Sequence, residues 1–181
     1  LQISLWHIKR QEYDHAANIL KALQQAFPES AFYTEQLGNL YMESGAYPAA
    51  IAQLTTAAAL AGDNRGVRLN LARAFVLNKQ FSEAQGVLES VLNDYPNHIT
   101  SLFDYGVLLK NMGRPADAEQ QFRKILLIEP GHTEVLYLLS EIYIIDNRMT
   151  DAEEMLIALL QEDASQVLAR QRLIGIYDQT N

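Results

Sequence analysis

Four histidines, His7, His15, His98 and His132, are the side chains best suited to proton transfer or metal ligation near neutral pH. His98 and His132 stand 34 residues apart, one period of a repeat that runs through the chain. That places them in successive linkers, on the order of 10 Å apart, whereas a shared metal ion needs bonds of about 2 Å. Linker capping is the role that fits them. His7 falls in a packing column and reads as a partly buried core histidine. Adjacent Glu153 and Glu154 leave one helix in different directions, with no cation or facing groove, and read as surface rather than as an acid/base pair. With no cysteine there is no disulfide framework, thiolate zinc site or cysteine nucleophile. A Gly-rich phosphate loop, His-Glu-x-x-His and a nucleophile elbow are all missing. No catalytic residue, metal or cofactor is expected, and the chain reads as a non-enzyme.

The chemistry that remains is recognition, and it depends on elements that repeat. Alanines recur every 34 residues at Ala16, Ala50, Ala84, Ala118 and Ala152. Twelve residues before each stands a small residue, Ser4, Gly38, Ala72, Gly106 or Ser140, itself preceded by a large apolar one from Ile3 to Leu139. Leu20, Leu54, Leu88, Phe122 and Leu156 follow the alanines by four residues, and Pro28, Pro96 and Pro130 share a closing column. Apolar spacings of three and four lie on one face of a helix, so each copy predicts two amphipathic helices of about 13 residues. Side chains of one carbon or none in the two small columns let the paired helices approach closely. Gly45 and Gly113, with Asn147 as substitute, suit the left-handed turn between them. Asp14, Ser82 and Thr150 suit the cap of the second helix, and Pro48 its first turn.

These columns resemble the tetratricopeptide repeat family, whose signature runs large-x-x-Leu-Gly/Ala-x-x-Tyr, then Gly-x-Tyr-x-x-Ala, then Phe, Ala and a closing Pro. Residues 31–64 match best, through Leu37, Gly38, Tyr41, Gly45, Tyr47, Ala50 and Ala57. The resemblance covers essentially the whole chain. It divides into a partial copy at 1–30, copies at 31–64, 65–98, 99–132 and 133–166, and a final first helix at 167–180. Departures are His7 for the aromatic, Thr34 and Arg68 for a large apolar residue, Pro115 for the turn aromatic and Ile174 for the small residue. The fold implied is all-α: a right-handed α-solenoid of five helix-turn-helix repeats plus one helix, a single domain over 1–181.

In this family the first helices line a concave groove, so first-helix positions outside the packing columns are the candidate partner-binding surface. They include Leu5, Ile8, Phe32, Gln36, Asn39, Leu69, Asn70, Arg73 and Leu77. Further along come Phe103, Asp104, Val107, Tyr137, Glu141 and Ile144, with Met42, Val76 and Ile145 beside them. The set is strongly apolar, and a contiguous apolar stripe suits an apolar or amphipathic peptide or helix. A second reading has individual members packing against the next copy's first helix. Gln2, Gln36, Asn70 and Asp104 share one column, and family members with amides there grip an extended peptide; solvation of the groove is the alternative. The family subset that holds a C-terminal carboxylate uses cations where this chain has Glu35, Leu69, Thr100 and Asp104; the carboxylates among these would repel such a ligand and argue against that use.

Composition narrows the partner. A pI near 4.9 and a net charge of -8 argue against nucleic acid. Residues 133–181 carry 3 cationic and 9 acidic side chains, which either steer a basic partner or form a solvated face. Apolar runs are shorter than the roughly 18 residues a membrane span needs. The chain begins at Leu1 without a signal-peptide pattern and reads as an excised or processed piece. The compartment stays open, the cytoplasm being preferred to the periplasm. The expected function is a protein-interaction scaffold or adaptor. The alternative is a spacer or regulatory scaffold within a larger enzyme or secretion assembly. Val167, Leu168, Leu173, Ile174 and Ile176 make the last helix apolar for a terminal cap, leaving homo-oligomerisation through an end or the groove open.

Overall fold

The computed structural model describes residues 12–180, without the side chains of 179 and 180. Leu5, Ile8 and the other expectations for residues 1–11 lie outside the described residues. Among the described residues there are ten helices: α1 Tyr13–Ala26, α2 Ala31–Glu43, α3 Tyr47–Ala61, α4 Arg65–Leu77, α5 Phe81–Asp94, α6 Ile99–Asn111, α7 Pro115–Ile128, α8 Thr133–Ile145, α9 Met149–Glu162 and α10 Val167–Thr180. Helix starts recur with the period of 34, and α2, α4, α6 and α8 are each 13 residues long. The chain is a helical-repeat solenoid that forms two compact units, one ending at Asp94 and the other beginning at Tyr95.

The four turns inside a repeat among the described residues are built alike. The amide of Ala46 donates to Tyr41 O at 2.8 Å, Gln80 to Phe75 O at 2.9 Å, Arg114 to Leu109 O at 2.9 Å and Arg148 to Tyr143 O at 2.7 Å. These six-to-one bonds need a left-handed residue just before the donor. Gly45, Gly113 and Asn147 supply it, at φ 78, 73 and 59°. Lys79 takes the same conformation, at φ 61°, in a place glycine would fill with less strain. The donor of each bond is also the N-cap of the following helix. That corrects the expected caps: Asp14, Ser82 and Thr150 lie within the first turn, because the second helices begin at Tyr13, Phe81 and Met149. Side-chain caps instead serve first helices, through Asn64, His98 and His132. Pro115 opens α7, where a missing amide hydrogen costs nothing.

Within each unit the small columns set the spacing of the helix pairs. Ala16, Ala50, Ala84, Ala118 and Ala152 are all fully buried. A Cβ added to Gly38 would stand 2.6 Å from Leu54 Cγ, so α2 and α3 are in contact through the glycine itself. Two departures from the apolar pattern are accommodated by polar partners. Buried Thr34 accepts a hydrogen bond from Gln24 Nε2 at 3.1 Å. Arg68 bridges Asp63 at 2.7 Å and Asp94 at 2.8 Å, tying α4 to the end of α5. On α10, Ile174 occupies a column that earlier described copies bury and Tyr177 one that they bury or half-bury, and both are exposed.

Candidate functional site

In the first unit the expected surface residues lie on α2 and α4. Phe32 and Leu77 are each 46% exposed, Arg73 is exposed, and Gln36, Asn39 and Asn70 are half-buried. Leu69 is different: it is 6% exposed and belongs to the core, so it offers a partner nothing. Met42 likewise packs against the cluster of Ala50, Leu54, Leu71 and Ala74. Asn70 Nδ2 donates to Glu35 Oε1 at 2.9 Å, so this member of the amide column already has a partner on the neighbouring first helix. Asn39 Oδ1 is buried without a hydrogen-bond partner.

In the second unit the expected surface residues lie on α6 and α8. Phe103, Asp104, Val107, Tyr137, Glu141 and Ile144 are half-buried, and Ile145 is 76% exposed. The structure brings Glu141 between two cations that sequence reasoning did not pair with it. Lys110 Nζ donates to Glu141 Oε2 at 2.6 Å and Arg172 to Oε1 at 2.8 Å. Arg172 also lies over the Tyr137 ring, 5.1 Å from its centroid, and donates to its hydroxyl at 3.1 Å. The overlooked signal was a diagonal: Lys110, Glu141 and Arg172 hold positions twelve, nine and six of successive first helices.

The capping histidines behave as expected of linkers. His98 Nδ1 accepts from Ser101 N at 3.2 Å, and His132 Nδ1 from Val135 N at 3.4 Å. The His132 ring also stacks on Phe103, centroids 5.8 Å apart and planes 14° from parallel. One period later Gln166 stands in place of that ring, against Tyr137. Its amide turns away to donate to Asp163 Oδ2 at 2.7 Å. What remains is a cleft of about 290 Å³ lined by Thr133, Glu134, Tyr137, Leu159, Gln166 and Leu168. The carboxyl of Asp163 is held below its ordinary range by hydrogen bonds from the Ser165 hydroxyl, the Ser165 amide and Gln166.

Among the described residues no three His, Cys, Asp or Glu side chains converge where a metal ion could be held. No helix among them is long and apolar enough to cross a membrane. The tetratricopeptide repeat family model matches residues 41–102 and 111–177. Similar solved structures share the fold. A tetratricopeptide repeat protein from Parabacteroides merdae superposes with a TM-score of 0.82 at 18% identity, over 99% of this chain and 71% of that one. MamA from Desulfovibrio magneticus gives 0.79 at 17% identity, over 92% and 94%. YrrB, described as a tetratricopeptide repeat protein with an unusual peptide-binding site, gives 0.73 at 20% identity, over 95% and 89%.

Proposed function

The chain belongs to the tetratricopeptide repeat family, and from that premise we propose that its first-helix face binds an apolar or amphipathic peptide or helix of a partner protein. Protein–protein interaction without catalysis is the general role of the family. The observation that carries the finer reading is the exposure of Phe32, Leu77 and Ile145 at first-helix positions outside the packing columns. Leu77 and Ile145 share position thirteen of their copies and Phe32 holds position two, and large apolar side chains kept in water are a cost to solubility unless something covers them. A peptide-binding neighbour of the same fold, YrrB, agrees with such a use.

One observation favours the spacer reading. Glu35 with Asn70, and Glu141 with Lys110 and Arg172, spend polar groups of this face on bonds between first helices, which stiffens the stack rather than presenting donors to a ligand. The two readings separate under selection from a displayed library of random peptides on the folded chain. A binding module enriches sequences with apolar anchors at helical or alternating spacing that compete for one surface. A spacer enriches no common pattern.

A further inference from the structure

The cleft beside Tyr137 differs from its counterpart one repeat earlier in a way that specifies an occupant. At Phe103 the stacked ring of His132 fills the space. At Tyr137 the equivalent side chain, Gln166, is drawn off by Asp163, and the vacated volume lies between α8, the end of α9 and the start of α10. Its walls are mostly apolar, from Leu159, Leu168 and the Tyr137 ring, and Glu134 and Thr133 stand at its border. Glu134 is exposed and has no ion pair or side-chain hydrogen bond among the described residues.

The cations of this end of the chain, Arg172 over the Tyr137 ring among them, already have partners. Of the three cationic side chains after residue 132, Arg148 is paired with Glu119 and Asp151, Arg172 with Glu141, and Arg170 donates to the Ala164 carbonyl. Among the described residues Glu134 has no cationic partner. An exposed carboxylate alone attracts a cation only weakly in water. Apolar walls beside it change the balance, because a long side chain buries its methylenes against them while its charged end reaches the carboxylate. Arginine fits this combination: three methylenes to lie against the exposed Leu168 and the half-buried Tyr137 ring, and a planar fork that donates two parallel hydrogen bonds to one carboxylate.

We infer that the cleft between α8, α9 and α10 is an anchor pocket for an arginine side chain of the bound peptide, with Glu134 as its counter-ion. The inference rests on the first-helix face being the binding surface, and it names one residue of the partner. Its test is a heteronuclear NMR titration of the whole chain with N-acetyl-arginine amide and with the uncharged isostere N-acetyl-citrulline amide. The arginine compound should give saturable shifts confined to the six lining residues, with the citrulline compound about tenfold weaker. Glu134→Gln should remove that preference, whereas Glu154→Gln, an exposed carboxylate on α9 outside the cleft, should keep it. Absence of localised shifts, equal response to the two compounds, or a preference that survives Glu134→Gln overturns the pocket. If a selected peptide still binds the face while the arginine compound fails, only the pocket is lost. If no peptide binds the face, the broader reading is lost whatever the amide does.

Discussion

Phe122 lays its buried ring on the backbone of Gly106, so closely that a Cβ on the glycine would stand 2.5 Å from Cε1. Replacing glycine by alanine inside a helix gains up to about 1 kcal/mol of helix propensity. Forcing a methyl into a closed contact costs about 1–3 kcal/mol. Because Phe122 is fully buried and has nowhere to retreat, the second effect wins, and Gly106→Ala should lower unfolding free energy by about 1–2 kcal/mol in a denaturant titration. Gly86, on α5 with open space around it, is the control. There the same substitution should stabilise by about 0.5–1 kcal/mol.

Lys79 carries a side chain where three other turns use glycine or asparagine. Relief of the left-handed strain should make Lys79→Gly more stable by about 0.5–1 kcal/mol, after the greater entropy glycine gives the unfolded chain. Gly113→Lys should move stability the opposite way. Equal and negligible effects at both sites would mean that the turns do not hold the backbone in the conformation described.

Glu141 joins three first helices through Lys110 and Arg172, all half-buried. Glu141→Ala should therefore cost about 1 kcal/mol at low ionic strength, and less as salt screens the cluster in the native protein. The Lys110→Met, Glu141→Ala double variant should cost less than the two single changes together, which a double-mutant cycle reads directly.

Asp163 organises the linker that leads into α10, and its lowered pKa gives a pH signature. A carboxyl whose folded pKa lies below the unfolded one contributes stability above the ordinary carboxylate range, and that contribution is lost as pH falls through the folded value. The difference in Tm between the native chain and Asp163→Ala should be present at neutral pH and shrink in acid. A difference that grows on acidification would contradict the linkage.

The repeat was legible because its defining residues are the ones sterics leave no freedom to vary: the buried alanines and the glycines of Gly38 and Gly106 mark backbone contact wherever they recur. The turn at Lys79 was hidden because its residue type argues against its conformation, and only the register of Gly45 and Gly113 points to it. Leu69 shares a position with Glu35, Phe103 and Tyr137, so nothing in that column tells that it turns into the core. The bonds from Lys110 to Glu141 and from Glu141 to Arg172 escaped for a geometric reason. Long side chains on neighbouring helices meet on a diagonal, three positions back per repeat, while a search down columns compares only equal positions. The same holds for Asn70 and Glu35, one position out of step.

For the proposed binding at the first-helix face, Ile145 and Leu127 offer a matched comparison. Both are strongly exposed apolar residues of the second unit, at 76% and 86%, but Ile145 ends the first helix α8 and Leu127 lies on the second helix α7. Fluorescence anisotropy of a selected peptide against Ile145→Glu and Leu127→Glu, with helical circular dichroism confirming the fold of each, is the most direct test. Binding at the first-helix face should give about tenfold or greater loss of affinity for Ile145→Glu and none for Leu127→Glu. Unchanged affinity for Ile145→Glu together with loss for Leu127→Glu would contradict it.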